Sequence, residues 1–414
     1  MSVSLTHHGD EAVLELSQDV PDTPGKSGKE PMPIPLKIAL FDREKGTHAG
    51  EKLIVLDKAS DTFRFPGFAD KPILSINRGF SAPVSIQRDI PGEELVFLAA
   101  TDDDPFARYE AMQDLMVAYL VAASKGDLDE ESRAAKQADI VRAIGSVIDD
   151  QAIEDLMRGE LMSMPSQTYI MEQIEQADPA RIFDRREELK AVIGRELSDD
   201  LQHLYQRAEK LPYSRSAEAK GARKLKTLIL SYLVASDPQA ASALAAKQYE
   251  RADNMTDRQG ALMVLTGVDS AERTGALLDF YNRYQGNPLV IDKWFSLQAM
   301  SLHPHVIEHV KALAEHEDFT LKNPNRVRSL YMAFAANPHG FHAESGEGYR
   351  MIADLILELD PINAQTAARF VPALGRWRKI EPGRSALMRE QLERIAAAPK
   401  LSRDTFEQVT RSLG

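Results

Sequence analysis

The 414-residue chain has no cysteine, which excludes disulfides, thiolate nucleophiles, thiolate zinc sites and iron–sulfur clusters. Any metal would need His, Asp or Glu as ligands. No apolar run approaches the roughly 18 residues that cross a bilayer, and the N-terminus lacks the basic and apolar segments of a secretory signal. A cytoplasmic chain without membrane attachment is therefore expected. Cations are in deficit: 50 Lys and Arg face 63 Asp and Glu, a formal net charge of −13 that repels phosphate backbones and argues against a nucleic-acid partner. Aromatic residues make up only 7%, yet 43% of the chain is apolar, enough to fill the two or three domains that its length allows.

From Val3 to about Ala100 the apolar residues mostly alternate: Ala12, Leu14 and Leu16; Ile34, Leu36, Ile38 and Leu40; Leu53 with Val55; Phe63 with Phe65; Val84 with Ile86. Period two marks half-buried strands. Turn signals at Pro21 to Gly28, Gly46 to Gly50, Pro66-Gly67 and Pro91-Gly92 leave no room for crossover helices. An antiparallel β-sandwich of about seven strands is expected over residues 1–104.

At Thr101-Asp102-Asp103-Asp104-Pro105 an acidic cluster and a proline favour a helix N-terminus. Phe106, Tyr109, Met112, Met116, Tyr119, Leu120 and Ala123 then form a stripe of helical period, and no strand signal returns. Asp-Pro or Asn-Pro pairs punctuate the rest at 104, 178, 237, 287, 323, 337 and 360, where the side-chain oxygen can cap free N–H groups and proline presets φ. Their spacing is too irregular for a tetratricopeptide or ankyrin array. Residues 105–414 are thus expected to form an all-α superhelix of stacked helix pairs of varying length, giving an α+β multidomain chain.

Four local patterns carry a chemical reading that their context weakens. His305-Val306-Ile307-Glu308-His309 matches H-x-x-E-H, a zinc pattern, but helical projection puts His305, His309 and His316 beside the apolar arc, as on the solvated face of an ordinary helix. Gly25-Lys26-Ser27 resembles the end of a phosphate loop, yet Val20 stands where its first glycine belongs, and Gly28, Pro31, Pro33 and Pro35 prevent the helix that must follow. Gly346-Glu347-Gly348 reads as a turn, and Arg376-Trp377-Arg378-Lys379 as cations snorkelling around a half-buried indole. No Gly-x-Ser-x-Gly elbow occurs, so the residues show no complete active site.

Longer strings are more specific: Pro21-Asp22-Thr23-Pro24 leading to Pro33-Ile34-Pro35, Asn254-Met255-Thr256-Asp257, Asp292-Lys293-Trp294-Phe295, and Phe319 to Leu330 with Asn323-Pro324-Asn325-Arg326-Val327-Arg328 at its centre. Ala333-Phe334, Phe341-His342 and Gly348-Tyr349 follow. Over nearly the whole chain these strings resemble the C-terminal half of the M1 zinc exopeptidases of the bacterial aminopeptidase N type. The resemblance implies a third, β-sandwich domain, entered slightly after its start as in a truncated chain. It also implies a fourth, helical domain that closes over an active site. The family's Gly-Ala-Met-Glu-Asn loop and His-Glu-x-x-His zinc helix are absent. The implied chain is accordingly non-catalytic and holds no metal, zinc belonging to the catalytic domain of a parent protein. Its implied partners are the parent's N-terminal and catalytic domains and peptide substrates. By motif, the family's cavity arginines fall on Arg328 and on Arg369 in Ala367-Ala368-Arg369-Phe370-Val371-Pro372. The alternative is an independent helical scaffold that binds protein partners.

Overall fold

The computed structural model describes residues 1–414 and divides into two compact units, one of residues 1–119 and 130–164, the other of residues 120–129 and 165–414. The first begins with seven strands: β1 (Ser2–His8), β2 (Glu11–Ser17), β3 (Ile34–Asp42), β4 (Thr47–His48), β5 (Lys52–Leu56), β6 (Ser60–Pro66) and β7 (Ile73–Ile76). β1, β2 and β6 form one antiparallel sheet; β3 pairs with β4, β5 and β7 in the other. Gly9, at φ 65°, supplies the left-handed residue that the tight β1–β2 hairpin requires.

The inner faces meet as the alternation predicts. Leu14 and Leu16 of β2 and Leu36, Ile38 and Leu40 of β3 all enter one core with Phe65 and Ile76. β5 is phased the other way from the expectation: Ile54 and Leu56 point inward, while Leu53 and Val55 are exposed. The run Leu53-Ile54-Val55-Leu56 is apolar on both faces, so period two leaves its phase open, and pairing of Leu36 with Ile54 decides it. Val84 and Ile86 pack against this core from an irregular segment, not from a strand.

Helix begins earlier than the expected change of period. Residues Gly92–Thr101 are helical, with Glu93 and Glu94 in the first turn and Leu95, Leu98 and Ala99 buried at i, i+3 and i+4. The apolar run from Leu95 to Ala100 has no polar gaps to distinguish the two periods. Arg78, almost fully buried, ties the sheets to the segment after this helix through the Asp102 and Asp103 carboxylates, and the Asp104 carboxylate accepts from the Gly79 N–H. All strands lie within residues 2–76. No helix is long and apolar enough to cross a membrane.

In the second unit, successive helices pack on their chain neighbours: Ser198–Glu209 on Ala217–Ser236, then Pro238–Arg251, Met255–Leu265, Ala271–Tyr284, Pro288–Ala299 and Val306–Ala314. Most of the Asp/Asn-Pro pairs act as read, although the Asn287 side chain makes no bond to its helix. Asp178, Asp237, Asn323 and Asn337 each accept from free N–H groups of the helix that their proline opens. Asp360 differs. It ends the helix Glu347–Leu359, and its carboxylate accepts from the N–H and hydroxyl of Ser402 and the hydroxyl of Thr405, which start the last helix, Arg403–Leu413. Contacts also form between helices far apart in the chain. Ala177 exchanges backbone hydrogen bonds with Lys379 and Glu381 at 2.9 Å each, so the chain returns after some two hundred residues to the start of the helix Pro179–Glu196.

Candidate functional site

Arg326 and Arg328 leave the same capped turn and do different things. Arg326 is buried, donates to the Asp292 carboxylate at 2.7 Å and lies over the Phe295 ring at 4.8 Å. Its place in the family string is structural. Arg328 is exposed and donates only to the Pro324 carbonyl at 3.2 Å and to the Asn325 side chain of its own turn, with no carboxylate in reach. It opens a wide turn, Arg328–Met332, in which the Ala333 N–H bonds back to the Arg328 carbonyl five residues away. Single wide turns of this kind re-aim the side chains of a helix.

Arg369 ends the short helix Ala364–Ala368 and is exposed, its guanidinium without hydrogen bond or ion pair. It lines a cavity of about 590 Å³ in the second unit. Arg328 does not line that cavity, but Met332 and Ala335, further along its helix, do. Apolar wall comes from Phe183, Leu302, Pro338, Phe341, Pro372 and Ile380. Four cations border it, Arg186, Lys190, Arg369 and Arg376, against one carboxylate, Glu187, which Lys190 already holds at 2.6 Å.

Arg186 and His342 show how dry the lining is. Burial pulls the Arg186 guanidinium below its usual pKa, and its Nη1 is buried with no hydrogen-bond partner. Burial, reinforced by Arg384, pushes His342 down to about 3; its neutral Nδ1 lies 2.8 Å from the Tyr349 hydroxyl. Arg186 had no signal in the sequence, since Asp184-Arg185-Arg186-Glu187-Glu188 reads as a solvated helical face.

The H-x-x-E-H segment is not the solvated face expected. His305 precedes the helix Val306–Ala314 and is exposed. His309, half-buried, faces the Arg273 guanidinium, with Nδ1 at 3.1 Å and Nε2 at 3.4 Å, and stacks at 4.6 Å on buried His303. Burial, then Arg273, lowers the His309 pKa to about 4. His316 packs among Tyr281, Trp294 and Phe295. A cation at hydrogen-bond distance from both ring nitrogens does not fit a zinc ligand, and no group of three or more His, Asp or Glu is placed to hold a metal.

The other motifs resolve as local structure. Gly25 takes φ 81° in a turn closed by Thr23 and Lys26, with no helix after it. Gly348 backs onto the Phe341 carbonyl so closely that a Cβ would come within 2.4 Å of it. Trp377 lies under the Arg378 and Arg389 guanidiniums, its indole N–H donating to the Ser412 carbonyl at 3.0 Å.

A model described as the Ig-like fold of DUF3458, a domain of unknown function, matches residues 1–89, and its C-terminal companion, described as ARM repeats, matches residues 92–414. The chain belongs to the DUF3458 family, antiparallel Ig-like sheets followed by a large helical domain of ARM-like repeats. It is similar to the aminopeptidase N of Escherichia coli (strain K12), with 33% identity over 410 residues, covering 97% of this chain and 47% of that protein. With the aminopeptidase N of Caulobacter vibrioides it shares 37% over 366 residues, covering 88% and 42%. Among solved structures, Legionella pneumophila aminopeptidase A in complex with aspartic acid matches all of this chain and 48% of its own, at a TM-score of 0.83 and 28% identity. The chain spans about half the length of the relatives it matches.

Proposed function

We propose that this chain is the non-catalytic C-terminal half of a cytoplasmic M1-type zinc aminopeptidase, a protein that removes N-terminal residues from peptides. The observation that carries the reading is the match of nearly the whole chain to about half of each aminopeptidase N. In this reading the zinc and the catalytic groups belong to the remainder of the parent. The helical unit encloses the peptide, and Arg328 and Arg369 reach toward it. Both guanidiniums suit that role, being exposed and free of carboxylates, with planar donors that match a substrate carboxylate or carbonyl.

Two experiments test it. The native gene product should weigh about twice the 46.0 kDa of this chain and carry one zinc; a product of this length alone would overturn the reading. In the parent enzyme, Arg328→Ala or Arg369→Ala should lower kcat/KM for peptides several-fold more than for aminoacyl anilides, because only a peptide extends past the scissile bond. Equal losses on both substrates would remove the two arginines from the peptide path.

A further inference from the structure

The second unit leaves three arginines without a partner around one cavity. Arg186 comes from the helix Pro179–Glu196, Arg369 from the end of Ala364–Ala368, and Arg376 from the turn after Val371–Gly375. None of the three guanidiniums makes a hydrogen bond or an ion pair, and the one carboxylate in the lining is taken by Lys190. Against a net charge of −13 such an uncompensated cluster runs counter to the rest of the chain. It is also fixed in place. The Ala177–Lys379 and Ala177–Glu381 hydrogen bonds join the Arg186 helix to the segment carrying Arg376, and Phe183 stacks on His339 at 4.9 Å, holding the Pro338–Phe341 turn as a third side.

Arg369 and Arg376 are exposed, but Arg186 is half-buried with a buried, unbonded Nη1, and an unpaired guanidinium so placed is unfavourable to folding unless a ligand supplies the missing anion. Planar guanidiniums match carboxylates in two-point geometry, and the intervening wall is apolar. Cavities of this size, mostly apolar with a few convergent polar groups, are of the kind that take small ligands. We propose that this cavity is a carboxylate receptor for short apolar peptides, with Arg186 and Arg376 binding the carboxylate together with Arg369. This rests on the reading that the helical unit faces peptide, and adds which end of the peptide it holds and the two residues that hold it. The carboxylate is the peptide's C-terminus, and the third peptide of the test shows whether an acidic side chain is accepted as well.

The 414-residue chain is titrated by calorimetry with three peptides: Leu-Leu-Ala as the free acid, Leu-Leu-Ala amide, and Leu-Asp-Ala amide. The free acid should bind at least ten-fold more tightly than Leu-Leu-Ala amide. Arg186→Gln and Arg376→Gln should each erase most of that difference; Arg376, being exposed, can be replaced without disturbing the fold. Tight binding of Leu-Asp-Ala amide as well would assign the receptor to carboxylates in general, and weak binding would assign it to the C-terminus. Free acid and amide binding alike, no binding of any peptide, or a preference that survives both substitutions would each overturn the proposal. None of those results touches the kinetic test of Arg328, so the enclosing role of the helical unit stands or falls separately.

Discussion

At the scale of single residues, Arg326 and Arg328 show that charge and sequence position do not decide what an arginine does. Arg326 is paired with Asp292 in a nearly closed site and also donates to the Asp318 carbonyl. Removing one partner of a buried pair leaves the other charge uncompensated, at roughly 3–5 kcal/mol. Arg326→Ala should therefore shift the urea midpoint far to lower concentration, whereas Arg369→Ala, which breaks no side-chain hydrogen bond or ion pair, should stay within about 0.5 kcal/mol of the unsubstituted chain. A large destabilisation by Arg369→Ala would show that it holds the fold. Arg328 and Arg369 could be singled out in the sequence only through the family strings around them. Arg186 could not be found even so, because its surroundings are made by residues some two hundred positions away.

At the scale of elements, the capping prolines were legible because their physics is local. An Asp or Asn oxygen and a preset φ act within one turn, whatever packs outside. Asn337 goes further than a cap. It is fully buried, accepts from the His339 N–H at 3.1 Å, and donates through Nδ2 to the Ala299 and Ser301 carbonyls at 3.0 and 2.7 Å. Asn337→Ala should cost about 2–3 kcal/mol, since it uncaps a helix and strands two buried carbonyls. Asn287→Ala, at a cap whose side chain makes no such bond, should cost under about 0.5 kcal/mol. Comparable thermal shifts for the two would refute the distinction. Local rules failed where a segment is apolar on every face. Leu53 to Leu56 kept its strand but lost its phase, and Leu95 to Ala100 became helix, because burial of such runs is settled by what lies across from them.

At the scale of the whole molecule, the feature that stacking rules do not contain is the return of the chain from Lys379 and Glu381 to Ala177, and His342 sits beside it. Its carbonyl accepts from Arg384 Nε at 2.8 Å, and Arg384 also reaches the Asp178 carboxylate that caps the Arg186 helix. His342 is buried in its neutral form, down to about 3 from an unfolded value near 6.5. For a base lowered in this way the sign is fixed. Above pH 6.5 both folded and unfolded chains leave it neutral and its contribution is intact. As pH falls below 6.5 only the unfolded chain takes up the proton, so stability declines until about pH 3, by up to 1.4 kcal/mol per pH unit and on the order of a few kcal/mol in all. His342→Asn keeps an acceptor for the Tyr349 hydroxyl close to the position of Nδ1 but cannot be protonated in this range. Urea unfolding at pH 7 and pH 5 should therefore show a smaller acid penalty for His342→Asn than for the parent chain, whose carboxylates contribute equally to both. If the two chains lose the same stability between those pH values, His342 is not a group through which acid opens the closure.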